Sequence, residues 1–403
     1  MVLKREHSEL VKRLTKERNI LLVQDIDGVC IPLVKNPLTR RLDLNYIYSA
    51  NSLSDEFVVL TNGEHEGYRG VNRIVEEALG NKSKAKKHGF YLPGLAAGGV
   101  ELQDKYGNIS YPGVNSREIS FLKDVPLLLK ELFKTELIKA NIIADEEENN
   151  NTIDNSVLDT RFTPTLNLNH IFDLSGKDYI KKISIQKKAL IVMEKIIDKA
   201  NNQGLGESFY LHIAPNNGKY KSKEQIKFSS EEDIGTTDIQ FMLSGALKET
   251  GLLVLLNEYI NKREGYKPFG EKFNARKAPR LIKELKTICL DNIPKEHMPL
   301  IIGVGDTVTS NKIESRDEYL RGGSDRGFLT LIQEIGKSYQ LNNKVIFVDS
   351  NDGEVQRPTT KDGSMKGISD PKDNLKFDII FKNGTPEYRE WFEALSIARI
   401  KFR

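Results

Sequence analysis

The sequence predicts an α/β fold, a doubly wound parallel sheet interrupted by an inserted α+β segment. Three observations carry that expectation. Short, wholly apolar runs recur along the chain and end in polar or glycine-rich residues, as strands covered on both faces do. Stretches of helical periodicity separate these runs, which is the pattern of βαβ units. Between about residue 116 and residue 243 the character changes to long helices with isolated strands.

The elements follow in order. Strands are expected at Ile20–Gln24, Glu56–Leu60, Leu300–Val304, Val345–Val348 and Phe377–Phe381. Helices are expected over Tyr68–Leu79, Thr250–Arg263 and Phe328–Ile335, with apolar residues on one stripe. Residues 98–113 (GGVELQDKYGNISYPG) read as a hairpin turned at Lys105-Tyr106-Gly107-Asn108. Periodicity predicts helices over 118–136 and 178–203, and an acidic, Asn-rich tract from Asp145 to Asn151 reads as a flexible loop. Ser208–Ile213 and Asp238–Phe241 read as strands. The resulting division is core at 1–115, insertion at 116–243 and core again at 244–403.

Composition narrows the class. At about 150 residues per domain, 403 residues allow two or three domains. Lys and Arg number 60 against 57 Asp and Glu, so the net charge is 60 − 57 = +3. That is too small to point to a nucleic-acid partner, and no dense basic stripe is present. The apolar run Gly251–Leu256 falls far short of the roughly 20 residues that cross a bilayer. Two cysteines, Cys30 and Cys289, build no disulfide framework and point to a reducing compartment, and the charged N-terminus has no signal-peptide core. These features lead us to expect a cytoplasmic enzyme acting on a small molecule, with neither nucleic acid nor membrane as partner.

In an open parallel sheet the chemistry collects beyond the carboxyl ends of the strands. There, LLVQDIDGVC places Asp25 and Asp27 on the same side of a strand end, with Gly28 releasing the turn. Two anions so close repel unless a cation sits between them, and Mg²⁺, hard and oxygen-seeking, answers that need. The same residues also serve as an ordinary turn or N-cap pair. FVVLTNGEH delivers Thr61 and Asn62, then Gly63, whose hydroxyl and free N–H groups suit a phosphate oxygen, or a plain turn. LIIGVGDTVTS runs into Asp306, a metal ligand or a helix N-cap, with Thr309 and Ser310 following. Lys248 opens an amphipathic helix, a place where lysines are usually solvated.

Taken in order, this set resembles the four motifs of the haloacid-dehalogenase-like phosphatases, and the insertion resembles their larger C2-type cap. The chain departs from many relatives at Ser310 and Asn311, where a second acidic group is common, and Asp325 in RGGSDRGF is a candidate to supply that charge. The longer strings LTRRLD, LTNGEH, YLPGLAAGGV, GTTDIQFML and FVDSNDGEV resemble the glucosylglycerol-phosphate phosphatase family. The resemblance implies Asp25 as nucleophile and Asp27 as acid and base. It implies Mg²⁺ held by Asp25, the Asp27 carbonyl and Asp306, with Thr61, Asn62 and Lys248 around the phosphoryl group. It further implies a glucosylglycerol 3-phosphate substrate, an osmolyte role in salt stress and a functional pairing with the osmolyte-phosphate synthase. For the sugar, Gly63, Glu64 and His65 are expected on the core side and His212, Asn216, Thr237 and Asp238 on the insertion. Competing readings are a phosphatase for sucrose or trehalose phosphate, a metal-dependent glycosyltransferase and a non-catalytic sugar-phosphate sensor.

Overall fold

The computed structural model describes residues 3–144, 148–221, 223–313 and 318–402. Among them the strands, in chain order, are β1 (Ile20–Gln24), β2 (Phe57–Leu60), β3 (Gly94–Ala96), β4 (Glu101–Gln103), β5 (Ile109–Ser110), β6 (Val157–Leu158), β7 (Thr165–Asn167) and β8 (Phe209–Ala214). They continue as β9 (Asn216–Tyr220), β10 (Lys223–Ile226), β11 (Asp238–Leu243), β12 (Leu300–Gly305), β13 (Thr309–Lys312), β14 (Tyr319–Gly322), β15 (Lys344–Val348) and β16 (Ile379–Phe381). Eight form the main sheet in the order β16-β15-β12-β1-β2-β3-β4-β5. The pairs from β16 to β3 are parallel, and β3-β4-β5 is an antiparallel edge.

Alternation along β1 shows how both faces are covered. Ile20 and Leu22 join one apolar cluster, with helices Arg5–Lys16, Leu44–Leu53, Val71–Leu79 and Gly384–Phe402. Leu21 and Val23 join the other, with helices Lys248–Glu264, Ile282–Asn292 and Arg326–Tyr339. After β1 the chain builds outward through β2 and later fills the opposite side through β12, so the order reverses between β1 and β12. Ligands bind outside the strand ends at such a reversal. The register Gln24↔Val304 sets Asp25 level with Gly305, the residue before Asp306.

Residues of the segment 116–243 form a four-stranded antiparallel sheet, β6-β7-β11-β8. Helices Ser116–Lys139 and Tyr179–Asn202 back it through Phe121, Leu129, Ile185 and Val192. Of the expected loop at Asp145–Asn151, residues 145–147 lie outside the described residues. From Glu148 the tract is a helix to Ser156, because Ile153 is buried in this cluster and tertiary packing overrides a polar composition. The short strands β6, β7, β9, β10, β13 and β14 are too short or too polar to show a period of two.

Candidate active site

Asp25 follows β1 directly and its side chain is buried. Its Oδ2 receives the Lys248 ammonium at 2.5 Å, and its Oδ1 accepts the Ile26 N–H at 2.7 Å. Lys248 is the first residue of its helix and is itself buried, an internal cation at a position where lysines are usually solvated. It donates equally to Asp325 Oδ1 at 2.6 Å. The other Asp325 oxygen accepts the N–H groups of Asp306 and Thr307, both at 2.9 Å. Asp325 therefore orients both the lysine and the loop that carries Asp306. Glycine is required twice here. Gly28 has φ +80°, and a Cβ there would occupy the Asp306 carboxylate; at Gly305 a Cβ would stand 2.7 Å from Asp325.

The carboxylates of Asp25, Asp306 and Asp325 offer oxygens that all lie within 4.8 Å of one another. Against these three anions stands one ammonium, so the cluster lacks positive charge. Burial pushes Asp25 up to about 7, with Lys248 opposing and Asp325 reinforcing the rise. Burial likewise raises Asp306 well above the carboxylate range, helped by both neighbouring aspartates. Asp306 Oδ2 is buried with no hydrogen-bond partner. A small divalent cation taking oxygen ligands fits this donor set. The Asp27 carboxylate is not part of it.

Asp27 instead faces Arg40, a residue of LTRRLD that no motif singles out. Arg40 Nη1 meets Asp27 Oδ2 at 2.9 Å and Oδ1 at 3.2 Å. Arg40 is buried and fixed by the Pro37 and Arg69 carbonyls, whereas the Asp27 side chain keeps a third of its surface open. The two aspartates thus sit in opposite surroundings, one clamped inside and one reachable. Thr61 follows β2, and its Oγ1 accepts the Gly63 N–H at 3.2 Å. A cleft of about 180 Å³ opens above these groups, lined by Asp25, Asp27, Thr61, Asn62, Gly63, Glu64 and Asp238 among others. A larger groove of about 1380 Å³ adjoins the cleft at Arg357 and holds none of the acidic cluster. Site chemistry, not volume, identifies the cleft.

Several expected substrate contacts are structural. Glu64 lines the cleft, but its carboxylate is taken by the backbone N–H groups of Arg161, Phe162 and Thr163 and by the Thr163 hydroxyl. It anchors a loop of the inserted segment. His65 is fully buried, with Nε2 on the Gly94 carbonyl and Nδ1 receiving Gln103. Burial lowers it to about 4 from 6.5, so its neutral form stabilises the fold. That stability is present in full above pH 6.5 and is lost as pH falls through about 4, at up to about 1.4 kcal/mol per pH unit. His65→Gln is therefore expected to flatten the acid fall in melting temperature between those values, measured by thermal melts across pH. An unchanged acid slope would refute the role.

His212 and Asn216 point away from the cleft toward a second cavity of about 330 Å³, which meets it at Asn62 and Ser324. His212 Nε2 lies 2.8 Å from Asn62 Nδ2, while Nδ1 faces Glu224. The contact orients Asn62. Asn216 holds the β13–β14 hairpin: its carbonyl accepts the Thr309 hydroxyl at 2.6 Å and its Oδ1 the Gly323 N–H at 3.2 Å. Thr309 is therefore bound to backbone, and Ser310 donates to Asp370 at 2.5 Å. Neither joins the acidic cluster; Asp325 does, across an inserted hairpin that no fixed spacing could reveal. Asp238 lines the cleft and accepts the Thr237 hydroxyl at 2.8 Å.

A doubly wound sheet with a buried aspartate clamped by lysine, a second aspartate two residues on and an acidic cluster at the β1/β12 tips defines a haloacid-dehalogenase-like phosphohydrolase. The chain matches the glucosylglycerol-phosphate phosphatase family over residues 19–396, and it belongs to that family. It is 41% identical over 410 aligned positions to the glucosylglycerol-phosphate phosphatase of Synechocystis sp., with 98% of this chain and 97% of that protein covered. Among solved structures it is similar to the trehalose-6-phosphate phosphatase of Aspergillus fumigatus, at 8% identity and TM-score 0.41, covering 98% of this chain and all of that one. The C-terminal domain of the Candida albicans trehalose-6-phosphate phosphatase gives 13% identity and TM-score 0.45, with 99% and 98% covered. Among the described residues no helix is long and apolar enough to cross a membrane.

Proposed function

We propose that this chain hydrolyses glucosylglycerol 3-phosphate to glucosylglycerol and phosphate, with residues 116–243 acting as a cap over the cleft. The observation that carries the reading is the contrast between the two aspartates, Asp25 fixed on Lys248 and Asp27 open to the cleft. Asp25 attacks phosphorus and the bond to the glycerol oxygen breaks, leaving an aspartyl-phosphate. Asp27 gives its proton to the departing oxygen and then takes one from the attacking water, which releases phosphate and restores Asp25. Lys248, the Thr61 hydroxyl and the Asn62 N–H stabilise the transferring group. The cation we assign to Asp25, Asp306 and the Asp27 carbonyl is Mg²⁺, which when bound lets an anionic nucleophile meet an anionic ester.

In this reading the enzyme works in the cytoplasm, paired functionally with the synthase that supplies the phosphate ester during salt acclimation. The test is phosphate release, with Mg²⁺, from glucosylglycerol 3-phosphate, sucrose 6-phosphate and trehalose 6-phosphate. The first is expected to exceed the others in kcat/KM by at least about tenfold, since unpaired buried polar groups penalise the wrong sugar by about 1–3 kcal/mol each. Equal values would refute the substrate assignment.

A further inference from the structure

Most buried polar atoms in folded proteins have a hydrogen-bond partner, so one without a partner inside the protein is open to a water, an ion or a ligand. Among the described residues, three such atoms belong to residues that line the cleft beside Asp25: Asn169 Oδ1, Gln240 Oε1 and Arg357 Nε. They sit on or beside a continuous polar chain. Asn169 Nδ2 donates to Asn167 Oδ1 at 3.2 Å, and Asn167 Nδ2 donates to Asp238 Oδ1 at 2.9 Å. From the other end, Arg357 Nη2 donates to Thr237 Oγ1 at 3.0 Å, and that hydroxyl donates to Asp238 Oδ2 at 2.8 Å. Strand pairing sets the row, since Asp238 stands opposite Asn167 and Gln240 opposite Thr165. Period-two alternation then turns Asp238 and Gln240 of β11 to the same face. Arg357, from the loop after β15, closes the row from the main domain.

We infer that this row, with its two free acceptors and one free donor, is the receptor for the uncharged polyhydroxyl end of the substrate. The inference rests on the function proposed above and names the residues that read the glucosyl unit. Two free carbonyl oxygens and one free N–H ask for a ligand that donates twice and accepts once, and sugar hydroxyls do both. Charge excludes the alternative of a second phosphate. Arg40 and Arg69 are ion-paired with Asp27 and Asp159, and the third arginine, Arg357, faces the Asp238 carboxylate across the Thr237 hydroxyl, an anion that repels a phosphate. No member of the set was recognisable from sequence except Thr237 and Asp238, because Asn, Gln and Arg outside a motif carry no spacing signal.

The test uses the full chain with Gln240→Leu and, separately, Asn169→Ala, and compares kcat/KM for glucosylglycerol 3-phosphate with that for glycerol 3-phosphate. Each variant is expected to reduce this ratio about tenfold to a hundredfold, the effect of one lost hydrogen bond to a buried partner. Gln240→Leu should also melt no lower than wild type, because the oxygen it removes has no partner inside the protein. A purely structural glutamine would give the reverse, a lower melting temperature with the ratio kept, and that result would overturn the inference. Wild-type enzyme with no preference for the glucosylated substrate would overturn the proposed function and this inference together. A wild-type preference that survives in both variants would overturn this inference alone.

Discussion

Asp25→Asn is expected to abolish turnover and leave the fold standing. The amide matches the carboxylate in shape but cannot form the aspartyl-phosphate, so the loss should exceed about 10⁴-fold, or about 5.4 kcal/mol at 1.36 kcal/mol per decade. Stability should hold for an electrostatic reason. Asp25 is pushed up to about 7 by burial, and it shares its surroundings with Asp306 and Asp325. Its folded value lies above its ordinary 3.8, so ionising it costs the metal-free fold stability as pH rises through about 7. The variant removes that cost, while Lys248 keeps Asp325 as a partner at 2.6 Å. Thermal melts without metal should therefore show the variant gaining on wild type between pH 4 and 7. Phosphate release within tenfold of wild type would remove Asp25 as nucleophile.

How much of this was legible beforehand depends on distance along the chain. Asp25, Thr61 and Asp306 lie where apolar strands end, and a strand end is a local event that sequence shows directly. Lys248 was placed by its motif, yet its burial was not, because its partners Asp25 and Asp325 are 223 and 77 residues away. Arg40 lies inside LTRRLD, a string whose charge carries no spacing signal; its role appears only when its guanidinium meets Asp27. Glu64 and His65 show a related effect. Polar residues next to a catalytic motif look like substrate contacts, but here one anchors the 161–163 loop and the other sits fully inside the core. His212 and Asn216 were similarly drawn to the sugar by their residue type, whereas hydrogen bonds bind them to Asn62 and to the β13–β14 hairpin. The C-terminal helix Gly384–Phe402 went unread although Tyr388, Trp391 and Phe392 are fully buried, since its apolar residues share the stripe with charged ones.

Lys248→Met should expose the charge imbalance of the site more sharply than any other single change. In the native chain one ammonium holds two buried carboxylates, at 2.5 Å and 2.6 Å, and burial that would lower the lysine is overcome by those two anions. Methionine fills a similar volume and removes the only ammonium within reach of Asp25 and Asp325 among the described residues. Breaking a buried ion pair from one side costs about 3–5 kcal/mol, because the remaining charge is left unpaired. Catalysis should fall by about 10²–10³ as well, the usual effect of losing one preorganised charge at the reacting group. Added Mg²⁺ separates the two effects. A cation bound by the folded state alone stabilises it by mass action, and its benefit grows with the negative charge it meets. The variant's melting temperature should therefore rise more with Mg²⁺ than the wild type's, while its activity stays low because no lysine faces the phosphoryl oxygens. Identical Mg²⁺ responses in thermal melts would show that the cation does not share this pocket with Lys248, and the acidic cluster would lose its assignment as the metal site.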